Sequence, residues 1–551
     1  MTLNATSKTT APSTSQTNWN FADVFEAIAE QIPDLPALQH IGQSRTWKEF
    51  DANASRIANW LRSLGVAKQE GFAQYLYNSP EYTEAVFAGF KASLSPVNTN
   101  YRYVEEELIY LWDNADVVAV MFHGCFVKKI ESIKDRLPKI KGWLYVDDST
   151  EPCPSWAINY NELLKDSNIV FEPDVKRSPD DLYLLYTGGT TGMPKGVMWR
   201  QDDLFALLNN SSFIKWPPDS NVSHAKDVIK GKGMVHLSAS PLMHGTGVFT
   251  AFAALLGGGS VVTLNKRSFD PIELLDAIDI FGAQTVAIVG DAFAKPILKA
   301  LDENPQRWKL DSLFAMLSSG VMWSSQVKEG LLKHKSNMLL ADIFSSSEAI
   351  GMGASVTTAN SKSDTAKFVL GPEAKVIDED NKEIPKGSGQ VGRLALKGRT
   401  PIGYYKDEEK TNKTFPLIDG VRYSVPGDYA TVDADGTIHL LGRGSVCINT
   451  GGEKVFPEEV EEAIKEYPTV LDAVVVGLED EKFGETVNAL VQLRDKDPED
   501  AESIKLSLKN KLAAYKIPKN IVFVESIGRS PSGKVDYANC KKILTKAVIG
   551  S

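Results

Sequence analysis

Apolar residues in this chain fall into short unbroken runs that alternate with stretches of helical spacing. Residues 19–64 carry helical periodicity around a short strand at 37–41. Gln74 begins a strand, Asn78-Ser-Pro-Glu81 supplies a helix start with proline in the first turn, and an apolar helix runs on to Phe90. Ser95-Pro-Val-Asn98 reads as a turn, and residues 117–122 and 142–146 as strands. Residues 181–186 are apolar and aromatic, a buried strand. From Gln201 the sequence QDDLFALLNN is helical, with Asp202 and Asp203 in its first turn. Strands at 234–239, 260–264, 285–289, 313–319 and 339–343 then alternate with helices in a second unit of the same style. Such alternation predicts a largely parallel sheet.

The pattern then changes twice. Over residues 369–441 short strands and Gly/Asp turns dominate, which predicts a β-rich subdomain. Beyond Gly442 a proline-started helix (456–465) precedes strands at 470–477 and 489–493, a charged helix at 503–513 and a last strand at 521–524. That is a small α+β unit of about 100 residues, long enough to fold alone. The expected fold class is α/β: a large N-terminal domain of two α/β subdomains plus a β-rich subdomain, and a small α+β C-terminal domain.

Bulk properties narrow the picture. The 551 residues exceed one ordinary core. With 43% hydrophobic and 24% charged residues the composition is that of a soluble globular protein, and a net charge of −11 argues against nucleic acid as a main partner. Cys125, Cys153, Cys447 and Cys540 are scattered without paired metal spacing, the pattern of reduced thiols in a cytoplasmic protein. Residues 1–18 are rich in Thr and Ser and read as a disordered tail without a signal peptide. The uncharged run 245–264 is long enough for a membrane span, but Gly257-Gly-Gly259 splits it into a helical half and a β-branched half, so it reads as buried helix, turn and strand.

The chemistry centres on YTGGTTGMPKGV at residues 186–197. Gly188, Gly189 and Gly192 let the backbone turn tightly so that N–H groups converge on one anion. Thr187, Thr190 and Thr191 add hydroxyl donors and Lys195 adds positive charge. This is a phosphate cradle, and it lacks the Gly-Lys-Ser/Thr ending of a P-loop. The stretch resembles the signature loop of the adenylate-forming superfamily, which comprises acyl-CoA synthetases, adenylation domains of peptide synthetases and luciferases.

Further segments resemble that superfamily's motifs in order, over roughly residues 20–545. In DIFSSSE (342–348) the resemblance implies that Asp342 faces the adenine amino group, Phe344 stacks on the base, Ser347 contacts the α-phosphate and Glu348 holds Mg²⁺ together with Thr191. Ser345 departs from the usual glycine. YSVPGD (423–428) resembles the ribose-binding segment, with Asp428 accepting the ribose hydroxyls and Pro426 in place of a common threonine. GRGSVCINTGGEKVFPEEVE (442–461) resembles the hinge region. There Arg443 is implied to bind ribose or phosphate, Ser445 to be the hinge, Gly452 to line the pantetheine path and Lys454 to reach the adenylate phosphate. PSGK (531–534) resembles the catalytic-lysine motif, with Lys534 offsetting charge that develops at the α-phosphate. PLMHGTG (241–247) resembles the segment beside the acyl pocket. His244 stands at the aromatic-or-His position, and Gly245 and Thr246 stand where amino-acid-activating relatives carry an Asp. Gly320 is implied to lie against the acyl chain.

The resemblance implies an AMP-forming acyl-CoA synthetase that uses ATP, Mg²⁺ and coenzyme A, acts on a fatty acid or a steroid side-chain acid, and has a domain boundary at 443/444 with a mobile C-terminal domain. Glu348, His244 and Lys534 are its expected catalytic residues. Transfer to a carrier protein instead of CoA, and a non-catalytic nucleotide-binding protein on the same fold, are the alternatives. A luciferase-like oxygenase is a further reading that no feature favours. Peripheral membrane contact and a homodimer stay open.

Overall fold

The computed structural model describes residues 18–551 apart from 174, 188–192, 322, 362–364, 451–452, 481–482, 495–500, 510, 531–532, 534 and 550–551. One sheet has a parallel centre of Ser95–Asn98, Gly71–Tyr75, Val117–His123 and Gly142–Val146, with Leu182–Thr187 alongside Ser95–Asn98. Every residue of Gly71–Tyr75 and Val117–His123 is buried, as expected of parallel strands covered on both faces. Ser95–Asn98 is therefore a strand and not the expected turn. All four of its residues are buried, and Val97 is in register with Leu184. Tertiary packing overrides the turn preference of Ser-Pro-x-Asn.

The second sheet begins with the hairpin Gln43–Thr46 and Pro36–His40, the latter parallel to Ser260–Thr263, and continues through parallel Val235–Ser238, Thr285–Ile288, Ala315–Ser318 and Leu339–Ser346. It turns antiparallel at Ala349–Thr357 and continues into the expected β-rich region. Run 245–264 is the helix Gly245–Leu256, a glycine turn and the strand Ser260–Thr263. Among the described residues no helix is long and apolar enough to cross a membrane.

A third sheet, with Val470–Asp480 and Gly484–Leu493 as its long pair, lies in the C-terminal part beside the helices Pro457–Lys465, Ala501–Leu508 and Tyr537–Ile549. It has its own apolar clusters. The charged helix is shorter than the expected 503–513, ending at Leu508. This unit touches the larger part of the chain at specific points. Lys295 Nζ donates to the Leu471 carbonyl at 2.8 Å, and the rings of Tyr429 and Phe456 lie 5.3 Å apart.

The described residues on either side of the glycine-rich stretch are two paired strands, not a strand and a helix. Leu182–Thr187 pairs antiparallel with Lys195–Arg200, Thr187 opposite Lys195, and only then does the helix Gln201–Ser211 begin. Asn98, 3% exposed, clamps this hairpin. Its amide donates to the carbonyls of Tyr186 (2.8 Å) and Met243 (2.7 Å), and its Oδ1 accepts the Tyr186 N–H. One side chain thus ties the loop's first strand to segment 241–247. Asn98→Leu strands these buried groups, each at about 1–3 kcal/mol. We expect a loss of more than ~2 kcal/mol in urea unfolding, and an unchanged midpoint would contradict the clamp.

Candidate active site

One cavity of about 560 Å³ is lined by Tyr186 and Thr187 at the end of a strand of the first sheet and by residues 317–320 and 342–348 of the second; it reaches down to His236 and Thr285 near the starts of their strands, and its opposite wall comes from the C-terminal unit. Open α/β sheets bind ligands at the C-terminal ends of their strands. Thr187, His244, Gly320, Asp342, Phe344, Ser347, Glu348, Asp428 and Arg443 all line it, so the structure brings nine of the singled-out residues together from positions up to 256 apart in sequence, 187 to 443.

The polar end is built on buried carboxylates. Glu348, 7% exposed, sits in the turn between Leu339–Ser346 and Ala349–Thr357, and its Oε1 accepts the Tyr404 hydroxyl at 2.8 Å. Asp428, 5% exposed, begins the strand Asp428–Val432 opposite Arg443, whose Nε lies 3.3 Å from Oδ1. Asp428 Oδ2 is buried without a hydrogen-bond partner among the described residues. Burial raises the Asp428 carboxyl above its ordinary range, with Arg443 pulling the other way.

The DIFSSSE motif lies mostly on its strand rather than beyond it. Asp342 is buried with Lys328 Nζ 3.5 Å away, and burial pushes its carboxyl up to about 7 against the pull of that lysine. Phe344 packs its ring 5.5 Å from Phe368. Ser345 keeps the hairpin closed in place of a glycine: its hydroxyl accepts the N–H of Gly351 at 3.0 Å, and Gly351 takes the positive φ of +86°. The Ser347 carbonyl is held by the indole of Trp199 at 3.0 Å.

Lys195, at the base of the loop hairpin, is ion-paired to Asp407. His244 precedes the first residue of helix Gly245–Leu256. Gly320 has φ +91°, and a Cβ there would meet nothing within 4 Å, so its surface is open to the cavity. Gly533 and Val535 line the cavity from the C-terminal unit. Gly533, φ +72°, lies so close to Val321 and Ala292 that a Cβ would approach them to 3.0 and 3.2 Å. Arg529 braces this segment by a two-pronged bond to Asp472 (2.6 and 2.9 Å) and a bond to the Gly533 carbonyl at 3.3 Å. Lys454 is on the strand Glu453–Val455 and Ser445 in the 3₁₀ turn Gly444–Val446. Gly188, Gly189, Thr190, Thr191, Gly192, Gly452 and Lys534 lie outside the described residues.

Sequence reasoning missed Tyr404, Asp407 and Glu458. Tyr404 and Asp407 reach the site because Gly403–Tyr404 pairs with Lys195–Arg200, a long-range contact without a local signature. Glu458 reads as an ordinary first-turn acid. Here it is half-buried in the cavity wall, its Oε2 is buried with no partner among the described residues, and a Cβ on Gly442 would lie 2.1 Å from that oxygen.

Among the described residues no three His, Cys, Asp or Glu side chains gather to hold a metal unaided. The donor set still fits Mg²⁺, which takes one or two carboxylates and completes its shell with substrate phosphate oxygens and water.

Comparison with known proteins now defines the class. The family described as AMP-binding enzyme matches residues 25–405, and that described as AMP-binding enzyme C-terminal domain matches residues 459–534. The chain belongs to the AMP-binding enzyme family. Over 534 residues it is 40% identical to the 3-oxocholest-4-en-26-oate–CoA ligase of Rhodococcus rhodochrous, covering 94% of each chain. It is 37% identical over 535 residues to the medium/long-chain-fatty-acid–CoA/3-oxocholest-4-en-26-oate–CoA ligase of Mycolicibacterium smegmatis, covering 95% of this chain and 96% of that one. The fold is shared with the anthranilate CoA ligase AuaEII in complex with anthranoyl-AMP, at TM-score 0.82 and 21% identity over 97% of this chain and 99% of that one.

Burial raises the carboxyls of Glu458 and its neighbour Glu461 above the ordinary range. The folded state therefore holds protons that the unfolded chain has released, and stability falls as pH rises from the ordinary carboxylate value near ~4 to neutrality. We expect the urea midpoint to drop between about pH 5 and 8, and to drop less in Glu458→Gln. Parallel slopes would contradict this.

Proposed function

We propose that the enzyme joins an apolar carboxylic acid, a medium- or long-chain fatty acid or a steroid side-chain acid, to coenzyme A through an acyl-adenylate, releasing AMP and pyrophosphate. The observation that carries this reading is the two-ended cavity. Its polar end holds Asp428, Arg443 and Glu348, and its other end runs along helix Gly245–Leu256 past Phe249, Ala253, Ala254 and Gly257 to Phe213 and Ile214. From Gly245 to Gly257 that wall is about 18 Å long. It carries no acid at residues 245 and 246 to pair with a substrate ammonium. The names of the relatives support the same substrate class.

In this reading Asp428 accepts the ribose hydroxyls with its partnerless oxygen, and Phe344 and Asp342 take the adenine. Loop 188–192 and Lys195 take the phosphates, with Lys195 exchanging Asp407 for them. Glu348 and Thr191 would hold Mg²⁺, which would supply charge neutralisation at the phosphates. The substrate carboxylate attacks the α-phosphorus in line, the α–β bridging bond breaks and pyrophosphate leaves. His244 and Gly320 shape the crossing between nucleotide and acyl chain. Lys534, next to the cavity-lining Gly533, offsets charge on the five-coordinate phosphorus. Rotation of the unit beyond Arg443 about Ser445 then withdraws Lys534 and opens a thiol path beside Gly452, with Lys454 moving to the phosphate side. The CoA sulfur attacks the acyl carbonyl, the acyl–phosphate bond breaks, and AMP leaves. The companion expectations are ATP and CoA as co-substrates and a cytoplasmic location.

The test is AMP release from Mg-ATP, with and without CoA, across acetate, octanoate, palmitate, a steroid side-chain acid and benzoate. CoA-dependent AMP with an apolar acid is expected, and turnover of acetate or benzoate alone would overturn the substrate class. Asp428→Ala should weaken AMP binding by about 10–100-fold in calorimetry, the worth of one or two charge-assisted hydrogen bonds. Unchanged affinity would remove Asp428 from the ribose site.

A further inference from the structure

The apolar end of the cavity contains a polar chain that the reaction above does not use. His236, Thr250 and Thr285 all line it. His236, 1% exposed, bonds the Thr285 hydroxyl through Nδ1 at 2.9 Å and the Thr250 hydroxyl through Nε2 at 3.1 Å. Thr250 Oγ1 in turn lies 2.7 Å from the Thr246 carbonyl and 3.2 Å from that of Gly247. Thr246, Thr250 and Ala253 follow one another on the lumen side of the helix, and Thr250 stands about 7 Å beyond Gly245. The chain is therefore partway along the acyl wall, away from the carboxylate end.

Its hydrogen-bond inventory has a direction. Burial holds His236 neutral, with its pKa lowered to about 4, so the ring has one donor and one acceptor nitrogen. With the proton on Nε2, Thr285 donates to Nδ1, Nε2–H donates to Thr250, and Thr250 donates to the Thr246 carbonyl. Each member is then satisfied. Thr250 Oγ1 keeps one lone pair for a hydroxyl in the lumen. Its O–H can also swing to an oxo group, because the Thr246 carbonyl still has its helical N–H partner. A plain alkyl chain strands no polar atom here, whereas an oxygen substituent gains a bond.

We propose that His236, Thr250 and Thr285 form a subsite that recognises a hydroxyl or oxo group carried partway along the acid, so that the enzyme accepts plain acids and prefers oxygenated ones. This rests on the acyl-activating function proposed above. Thr250 is the contacting residue, and His236 and Thr285 position it.

The test uses full-length enzyme, Mg-ATP and CoA with dodecanoate and a set of hydroxydodecanoates whose hydroxyl moves along the chain. kcat/KM for each hydroxy acid is divided by that for dodecanoate. The expected result is a peak at mid-chain that falls about 10-fold in Thr250→Val, the worth of one hydrogen bond, and returns in Thr250→Ser. A flat profile in the wild type, or a peak unaltered by Thr250→Val, would overturn the subsite. Should Thr250→Val fail to fold, the wild-type profile alone decides. No AMP release with any acid would instead overturn the proposed function.

Discussion

The structure depends most on a buried charge left incomplete. Asp428 holds a carboxylate in the interior, one oxygen toward Arg443 and the other with no partner among the described residues. An unmatched buried acceptor costs stability, and the fold bears that cost where a ligand can supply the missing donors. The surrounding geometry follows from it. Arg443 is placed by pairing with Asp428 across two strands, Glu348 is oriented by Tyr404, and the cavity is walled by a unit with its own core. These polar groups are held in place by their own pairings, without a ligand.

The C-terminal unit does more than cover the cavity. Arg529 ties Asp472 and the Gly533 carbonyl together, and Gly533, at positive φ, lies close enough to Val321 and Ala292 that a Cβ would press on both. In the same wall stand the buried Glu461 and the half-buried Glu458, whose carboxyls desolvation penalises when ionised.

Much of this was legible in the sequence where the signal was local. Alternating runs gave the two parallel units and the β-rich region, and the glycine break at 257–259 separated a buried helix from a membrane span. The order of short motifs pointed to the family. What escaped depends on contacts distant in sequence. Ser95–Asn98 has turn residues but is captured between two strands. The Lys195–Arg200 strand is hidden because the motif's glycines and proline mask a hairpin. Tyr404 and Asp407 enter the site only through strand pairing, and Glu458 only through packing on Gly442. Ser345 looked like a departure at a glycine position, and its hydroxyl closes the same turn by accepting an amide.

The central claim is that a carboxylate is adenylated in this cavity before any thiol takes part. Exchange of labelled pyrophosphate into ATP, measured without CoA, tests it directly. Exchange that requires an apolar acid and Mg²⁺ but not CoA is the predicted result. Exchange independent of acid, or absent until CoA is added, would contradict the account.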